Sequence, residues 1–201
     1  MSAKEAEVLN SATQLQSDLL AAVCKGDNNE IELLITRGAN VHAVDDNGNS
    51  LLHWAAAAEG DFNLQVQTMQ HLIKVHKIDK NGKDNSGNTA LHTAAVNCRK
   101  TAIRYLVESG MNVNSAGAQD YTPLHLAAWK GHIDSVMFLV KNEADIYAKA
   151  LDGRTALALA TQHDTVRDYL VAISQQKLID AVCKGDVSEI RSLTARNKDP
   201  Y

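Results

Sequence analysis

The sequence predicts an all-α fold built from stacked antiparallel helix pairs with projecting hairpin loops. A short motif, complete as Thr-Pro-Leu-His at residues 122–125, recurs in altered form from Ser50, Thr89, Thr122 and Thr155. Each copy opens two apolar stretches with helical spacing, and a connector rich in Gly and Asn separates it from the next copy. The copies lie 39, 33 and 33 residues apart. A fixed period of this size indicates a repeat array.

The copy that starts at Thr122 shows why each unit is a helix pair. Its first apolar stretch covers residues 124–128 and its second covers residues 133–140. Gly131 lies between them and supplies the permissive backbone that a tight turn between helices requires. Two helices of this length bury too little apolar surface to fold alone, so each pair is expected to pack on the next.

Helix starts and connectors can also be predicted. Thr122 is expected to cap the first helix with its hydroxyl, and Pro123 to occupy the first helical position, where its missing N–H has no partner to lose. The connectors carry turn signals such as Asn47-Gly48 and Ser86-Gly87. They cover residues 38–49, 77–88, 110–121 and 143–154.

The motif histidines recur regularly but do not predict a metal site. Stacked helices lie about 8–10 Å apart, whereas zinc binds nitrogen at about 2.0–2.1 Å, so equivalent imidazoles in adjacent repeats cannot share one ion. We expect His53, His92 and His125 to form hydrogen bonds between adjacent loops instead. The remaining histidines show no metal-ligand spacing: His42, His71, His76, His132 and His163.

Three regions depart from the pattern. Residues 1–16 form an extension that is either a capping helix or a frayed terminus. Six extra residues around 57–67 lengthen the turn or the second helix of their repeat, and Phe62 there belongs either to a contact loop or to tolerated surface variation. Residues 178–186 closely repeat residues 19–27, which predicts a new helix pair from near residue 176. That pair, within residues 175–201, either closes the stack or begins a further block of a longer protein.

The motif and its period resemble the ankyrin repeat, over roughly residues 17–174, with copies starting near 17, 50, 89, 122 and 155. The resemblance implies a solenoid whose hairpin tips and inner-helix ends line a concave, partner-binding groove. Carried over by register, the predicted partner-binding residues are Tyr121, Trp129, Lys130, Arg154, Asn88, Asn97, Gln119, Asp152, Gln162 and His163. Tyr, Trp and Arg dominate interface energetics. The alternative is that Trp129 packs on neighbouring helix ends and Tyr121 on its hairpin.

Composition and missing motifs exclude several functions. With 20 Lys and Arg against 24 Asp and Glu, the net charge of -4 argues against a sequence-independent grip on nucleic acid. The three cysteines show no paired spacing, which favours a reducing compartment without disulfides. No apolar run approaches the roughly 18 residues of a membrane span. Neither a phosphate-binding Gly-rich loop nor a G-x-S-x-G motif is present.

The sequence therefore predicts a non-catalytic, monomeric, cytoplasmic module that binds a folded protein partner and needs no cofactor or metal. Besides a purely architectural spacer that binds no partner, two alternatives stay open. One is a targeting domain of a larger enzyme whose catalytic part lies outside this chain. The other, which the family resemblance implies, is an effector that an intracellular bacterium secretes into a host cell.

Overall fold

The computed structural model describes residues 3–197, except for the side chains of residues 3–11 and 197. Within that range the chain forms α-helices, one 3-10 turn and two isolated β-bridges, which confirms the predicted all-α fold. The helices are α1 (Ala3–Lys25), α2 (Asn28–Thr36), α3 (Leu51–Ala57), α4 (Phe62–Lys74), α5 (Ala90–Val96), α6 (Lys100–Glu108), α7 (Pro123–Trp129), α8 (Ile133–Lys141), α9 (Ala156–Leu159), α10 (Asp164–Lys184) and α11 (Val187–Asn197).

The first compact unit, Met1–Met111, contains three helix pairs: α1 with α2, α3 with α4, and α5 with α6. Helix α3 packs against both α1 and α5. Its face is made of small residues, since Ala55 and Ala56 are buried, as are Ala94 and Ala95 on α5. Small side chains let these helices approach closely, and Leu52 of α3 is buried as well.

The second compact unit, Asn112–Tyr201, contains α7 to α11. Helix α7 packs on α8 and α9, and α10 packs on α8, α9 and α11. The predicted start of a new helix near residue 176 is wrong, because α10 runs unbroken from Asp164 to Lys184. No Gly or Pro occurs in that span, so nothing in it breaks a helix. A second helix, α11, does follow it.

At the N-terminus, α1 runs through the predicted boundary between residues 16 and 17. Gln16 ties this helix to the first connector, because its side-chain oxygen accepts from the Asn40 backbone N–H at 3.1 Å. The side chains before residue 12 lie outside the described residues. A capping role for residues 1–16 therefore stays a prediction.

The six extra residues mainly lengthen the second helix of their repeat. Helix α4 has 13 residues, whereas α6 and α8 have nine each, so α4 gains about one turn. Asp61 caps α4 by accepting from the backbone N–H groups of Asn63 and Leu64. The buried Gln65 donates to the Ala58 carbonyl at 2.8 Å, while Phe62 is 64% exposed. The insertion is thus anchored in the fold and presents one aromatic ring to solvent.

The inner helices α3, α5 and α7 begin with the same capping device. A Ser or Thr caps each helix, and the motif His accepts the backbone N–H of that capping residue at its Nδ1 atom. The other ring nitrogen, Nε2, then carries the hydrogen. It donates to the next connector from His53 to the Asn88 carbonyl (3.1 Å) and from His125 to the Arg154 carbonyl (3.2 Å). These contacts confirm the predicted bridging role for His53 and His125.

Candidate functional site

An open groove of about 350 Å³ lies beside α7 and α9 in the second unit. Leu126 and Trp129, three residues apart on α7, point to the same side of the helix and line it. The buried Leu159 of α9 forms its third apolar wall, and Tyr121 and Arg154 complete it from the two connectors. Trp129 is 52% exposed, so much of its ring is open to a partner.

Three predicted residues form a hydrogen-bonded rim at this groove. Asp152 Oδ2 accepts from Tyr121 Oη at 2.6 Å and from Arg154 Nε at 2.7 Å. Arg154 Nη2 donates to Tyr121 Oη at 2.7 Å, which closes the triangle. We call Tyr121, Asp152 and Arg154 the rim triad.

The rim triad shifts the titration of its members. The hydrogen bond from Arg154 is the largest cause that holds the pKa of Asp152 well below its usual range. The hydrogen bond to Asp152 is the largest cause that raises the pKa of Tyr121. The triad is therefore charged at Arg154 and Asp152 at neutral pH. These exposed charges add little to stability, but they fix three side chains in one arrangement.

Two more of the predicted residues, Lys130 and His163, contact Trp129. The Lys130 ammonium lies 4.4 Å from the centroid of the Trp129 ring, a cation–π contact. His163 bonds through Nε2 to the Trp129 carbonyl at 3.1 Å. The His163 ring rests on Gly131, where φ is +74° and an added Cβ would come within 2.4 Å of Nδ1. The backbone at Trp129 is thus held in place while its ring faces solvent.

Of the other predicted residues, two border this cluster: the Gln119 carbonyl accepts from the Leu151 backbone N–H at 3.0 Å, and Gln162 directly precedes His163. Gln119 and Gln162 are exposed, the first at a connector tip and the second in the turn before α10. Asn88 and Asn97 belong to the first unit. The Asn88 side chain bonds to Asp84, and that of Asn97 bonds to the Thr93 carbonyl at 2.8 Å. Both Asn side chains are thus already engaged within their own connector or helix end.

A smaller groove of about 200 Å³ occupies the equivalent register in the first unit. Asn49, His53, Trp54, Ala57 and Thr93 line it. Ala57 stands where the second unit has Trp129, and Trp54 stands where it has Leu126. Trp54 is 36% exposed, which makes it a matched control for Trp129.

The first unit also contains a cluster of titratable side chains that the sequence spacing does not indicate. In the first unit, Glu32 Oε1 lies 2.6 Å from His71 Nε2 and 2.7 Å from His76 Nε2. The hydrogen bond with His71 is the main cause that lowers the pKa of Glu32. These residues are 39 and 44 positions apart in sequence, so no local spacing reveals them. Knowledge of how α2 and the end of α4 meet would be needed to find them.

Between residues 3 and 197, every helix is too short or too polar to cross a membrane.

Known proteins with similar sequences share the repeats and differ in function. The chain is 31% identical to the nuclear factor NF-kappa-B p105 subunit of Gallus gallus over 157 residues, 76% of this chain and 16% of that protein. It is 30% identical to the transient receptor potential cation channel subfamily A member 1 of Homo sapiens over 163 residues, 78% of this chain and 14% of the channel. It is 27% identical to the palmitoyltransferase AKR1 of Lachancea kluyveri over 145 residues, 72% of this chain and 19% of that enzyme.

The chain thus spans less than a fifth of the length of these relatives. A family model described as "Ankyrin repeats (3 copies)" matches residues 19–117, 61–150 and 115–180, which together cover most of the sequence. The motif, the helix pairs and the bridging histidines agree with this match. The chain belongs to the ankyrin-repeat family.

Proposed function

We propose that the chain is a non-catalytic module that binds a folded protein partner at the groove beside α7 and α9. Ankyrin repeats generally mediate interactions between proteins and are typically non-catalytic. The observation that carries the proposal is the half-exposed Trp129 ring at an apolar groove whose polar rim is already hydrogen-bonded.

The residue types at the groove favour a binding role. Trp, Tyr and Arg are enriched among the energetically important interface positions, and truncation of the best of them costs about 2 kcal/mol or more. Trp129, Tyr121 and Arg154 provide one of each within a single groove. A partner that inserts an apolar side chain between Leu126 and Leu159 would bury the exposed part of the Trp129 ring as well.

The rim triad lowers the cost of association. Immobilising a long side chain on binding costs about 0.5–1.5 kcal/mol. Arg154 and Tyr121 are already held by Asp152, so a partner would not have to order them. The N–H groups of Arg154 that bond to neither Asp152 nor Tyr121, together with those of the Lys130 ammonium, could donate to a carboxylate of the partner.

The chain's small share of its relatives favours a second candidate, a targeting domain within a larger protein. One of those relatives is by name an enzyme, a palmitoyltransferase, and the chain spans only 19% of it. In this candidate the same groove selects the partner, and a segment outside these repeats acts on it. A bacterial effector that works inside a host cell would be one such larger protein.

Cysteine chemistry supports a reducing location such as the cytoplasm of a cell or of a host. Cys24, Cys98 and Cys183 are free thiols, and the last two are exposed. Exposed thiols persist where glutathione and thioredoxin keep them reduced. We propose that the chain acts there as a monomer.

The test compares the unchanged chain with Trp129→Ala and with the matched control Trp54→Ala. Circular dichroism and thermal unfolding first establish that all three are folded. Proteins crosslinked to the unchanged chain in a lysate are identified, and the affinity of each purified candidate is then measured by calorimetry. We expect Trp129→Ala to raise the dissociation constant by about 30-fold, the equivalent of about 2 kcal/mol, and Trp54→Ala to raise it by less than about threefold.

A partner whose affinity is the same for all three chains would show that the groove of the second unit is not the binding site. Equal weakening by both variants would point away from that groove as well. A partner that depends on Trp129 and is then chemically altered only by a longer natural form of the protein would favour the targeting-domain candidate.

A further inference from the structure

Glu32, His71 and His76 bring a carboxylate oxygen and two imidazole nitrogens together at the edge of the first unit. Their ligand atoms all lie within 4.8 Å of one another. Glu32 lies on α2, His71 in the last turn of α4, and His76 just beyond the C-terminal end of α4. The two rings meet edge to face, with their centroids 5.0 Å apart. We call these residues the His-Glu cluster.

Both Nε2 atoms approach the same oxygen, Glu32 Oε1. A carboxylate oxygen can only accept, so each ring presents an N–H to it in the metal-free form. A cation that binds here would replace those two hydrogens. Each neutral ring would then adopt the other tautomer, with its single proton on Nδ1, and offer the Nε2 lone pair to the metal.

The distances suit a small tetrahedral ion. Zinc binds nitrogen at about 2.0–2.1 Å and carboxylate oxygen at about 2.0–2.2 Å, which sets ligand atoms about 3.3 Å apart in a tetrahedron. The Glu32 oxygen would need to retreat by about 0.6 Å from each ring. Its side chain is 44% exposed and can make that move, whereas His71 and His76, at 24% and 12%, are the more fixed partners.

The donor set indicates the class of ion. Two imidazoles and a carboxylate suit zinc and other late divalent transition metals, and offer too few oxygens for Ca²⁺ or Mg²⁺. Three protein ligands and a solvent-exposed side leave a fourth position for water or for a ligand from another molecule.

We propose that the His-Glu cluster is a binding site for Zn²⁺ or a similar divalent transition-metal ion. The ion would link α2 to the C-terminal end of α4, the helix lengthened by the insertion. This inference does not depend on the groove in the second unit. It adds a metal site to a chain whose sequence spacing predicts none.

The experiment uses the full chain, purified with a chelator, carrying Cys98→Ser and Cys183→Ser to remove the exposed thiols as competing ligands. Zn²⁺ alone is titrated into it by calorimetry, and the melting temperature is recorded with and without the ion. We expect one ion per chain and a rise of several degrees in melting temperature, since a ligand that binds the folded state stabilises it.

Variants identify the ligands. His71→Ala, His76→Ala and Glu32→Gln should each weaken Zn²⁺ binding by at least about tenfold, since even outer-shell partners of a metal contribute about 10- to 100-fold. His42→Ala is the matched control, an exposed histidine of the same unit, and should leave binding unchanged. Glu32→Gln alters an exposed side chain and keeps the test valid if either alanine variant fails to fold.

Absence of saturable binding at millimolar Zn²⁺ would overturn the proposal and leave the cluster as a hydrogen-bonded ion pair. An equal loss of affinity in His42→Ala would overturn it too, because the ion would then be bound elsewhere. Unchanged Zn²⁺ affinity in both Glu32→Gln and either His variant would overturn it as well, because these residues would then not be ligands.

Discussion

Two segments of nearly the same sequence adopt the same local structure in two different surroundings. Residues 19–27 end α1 and reach the residue before α2, and residues 178–186 end α10 and reach the residue before α11. Val23 is fully buried, whereas its counterpart Val182 is 56% exposed. The reason is the next helix pair: α3 and α4 cover α1, while no later helix within residues 3–197 covers that face of α10.

What the two segments share is local. Asp27 accepts from the Glu30 backbone N–H at 3.0 Å, and Asp186 accepts from that of Glu189 at 2.9 Å. Each cap starts the second helix of its pair. The comparison teaches that a repeat carries the instructions for its own turn and cap, whereas its burial comes from the neighbour that follows it.

A charge introduced at equivalent positions should produce the largest difference in unfolding free energy between the two segments. Val23→Asp places a carboxylate at a fully buried position of α1, and we expect it to cost more than about 4 kcal/mol and to unfold the first unit. Val182→Asp changes a half-exposed position and should stay within about 0.5 kcal/mol. Hydrogen exchange read by mass spectrometry locates the loss. A large, concentration-dependent effect of Val182→Asp would mean that copies of the chain cover that face.

A second pair of substitutions tests a position at which both segments should lose a similar free energy of unfolding. Leu34 and Leu193 occupy the same register and are 2% and 6% exposed, because each faces its own partner helix. Leu34→Ala and Leu193→Ala should therefore both cost about 2–5 kcal/mol. Urea denaturation of each variant measures this. A cost below about 1 kcal/mol for Leu193→Ala would show that α10 and α11 are not firmly packed.

The smallest contrast concerns one glycine in each segment. Gly26 and Gly185 both have positive φ, +80° and +70°. An alanine at either position pays about 1 kcal/mol for that conformation. At Gly26 the new Cβ would also lie 2.8 Å from Leu64 Cβ, whereas nothing lies within 4 Å at Gly185. We expect Gly26→Ala to cost about 1 kcal/mol more than Gly185→Ala in thermal unfolding. Equal costs would mean that Leu64 moves aside freely.

Periodic features of this chain could be predicted from the sequence. The helix pairs follow from apolar spacing, and the bridging role of His53 and His125 follows from their place in the motif. The long α10 could have been predicted too, because it contains neither Gly nor Pro, but the echo of residues 19–27 pointed to a boundary within it.

Features that join distant residues could not be predicted. The rim triad depends on the path of two connectors, which brings Tyr121 to Asp152 across 31 residues. The His-Glu cluster depends on how α2 and the end of α4 meet, and the sequences of these two helices follow no motif. Asn88 was predicted as a partner contact from its register alone, and that register does not show that its side chain bonds to Asp84.

The bridging imidazole of His125 also makes the folding stability of the repeats depend on pH. Its Nδ1 accepts a backbone N–H and its Nε2 donates, so only the neutral ring serves both contacts. Burial lowers the pKa of His125, so the unfolded chain binds this proton more readily than the folded one. The stabilisation is complete above the ordinary imidazole pKa of about 6.5 and is lost as the pH falls below it. Urea midpoints should therefore drop between pH 7.5 and 5.5, less so in His125→Gln. Acidification would therefore loosen the scaffold beside the groove, because His125 holds the carbonyl of the groove residue Arg154.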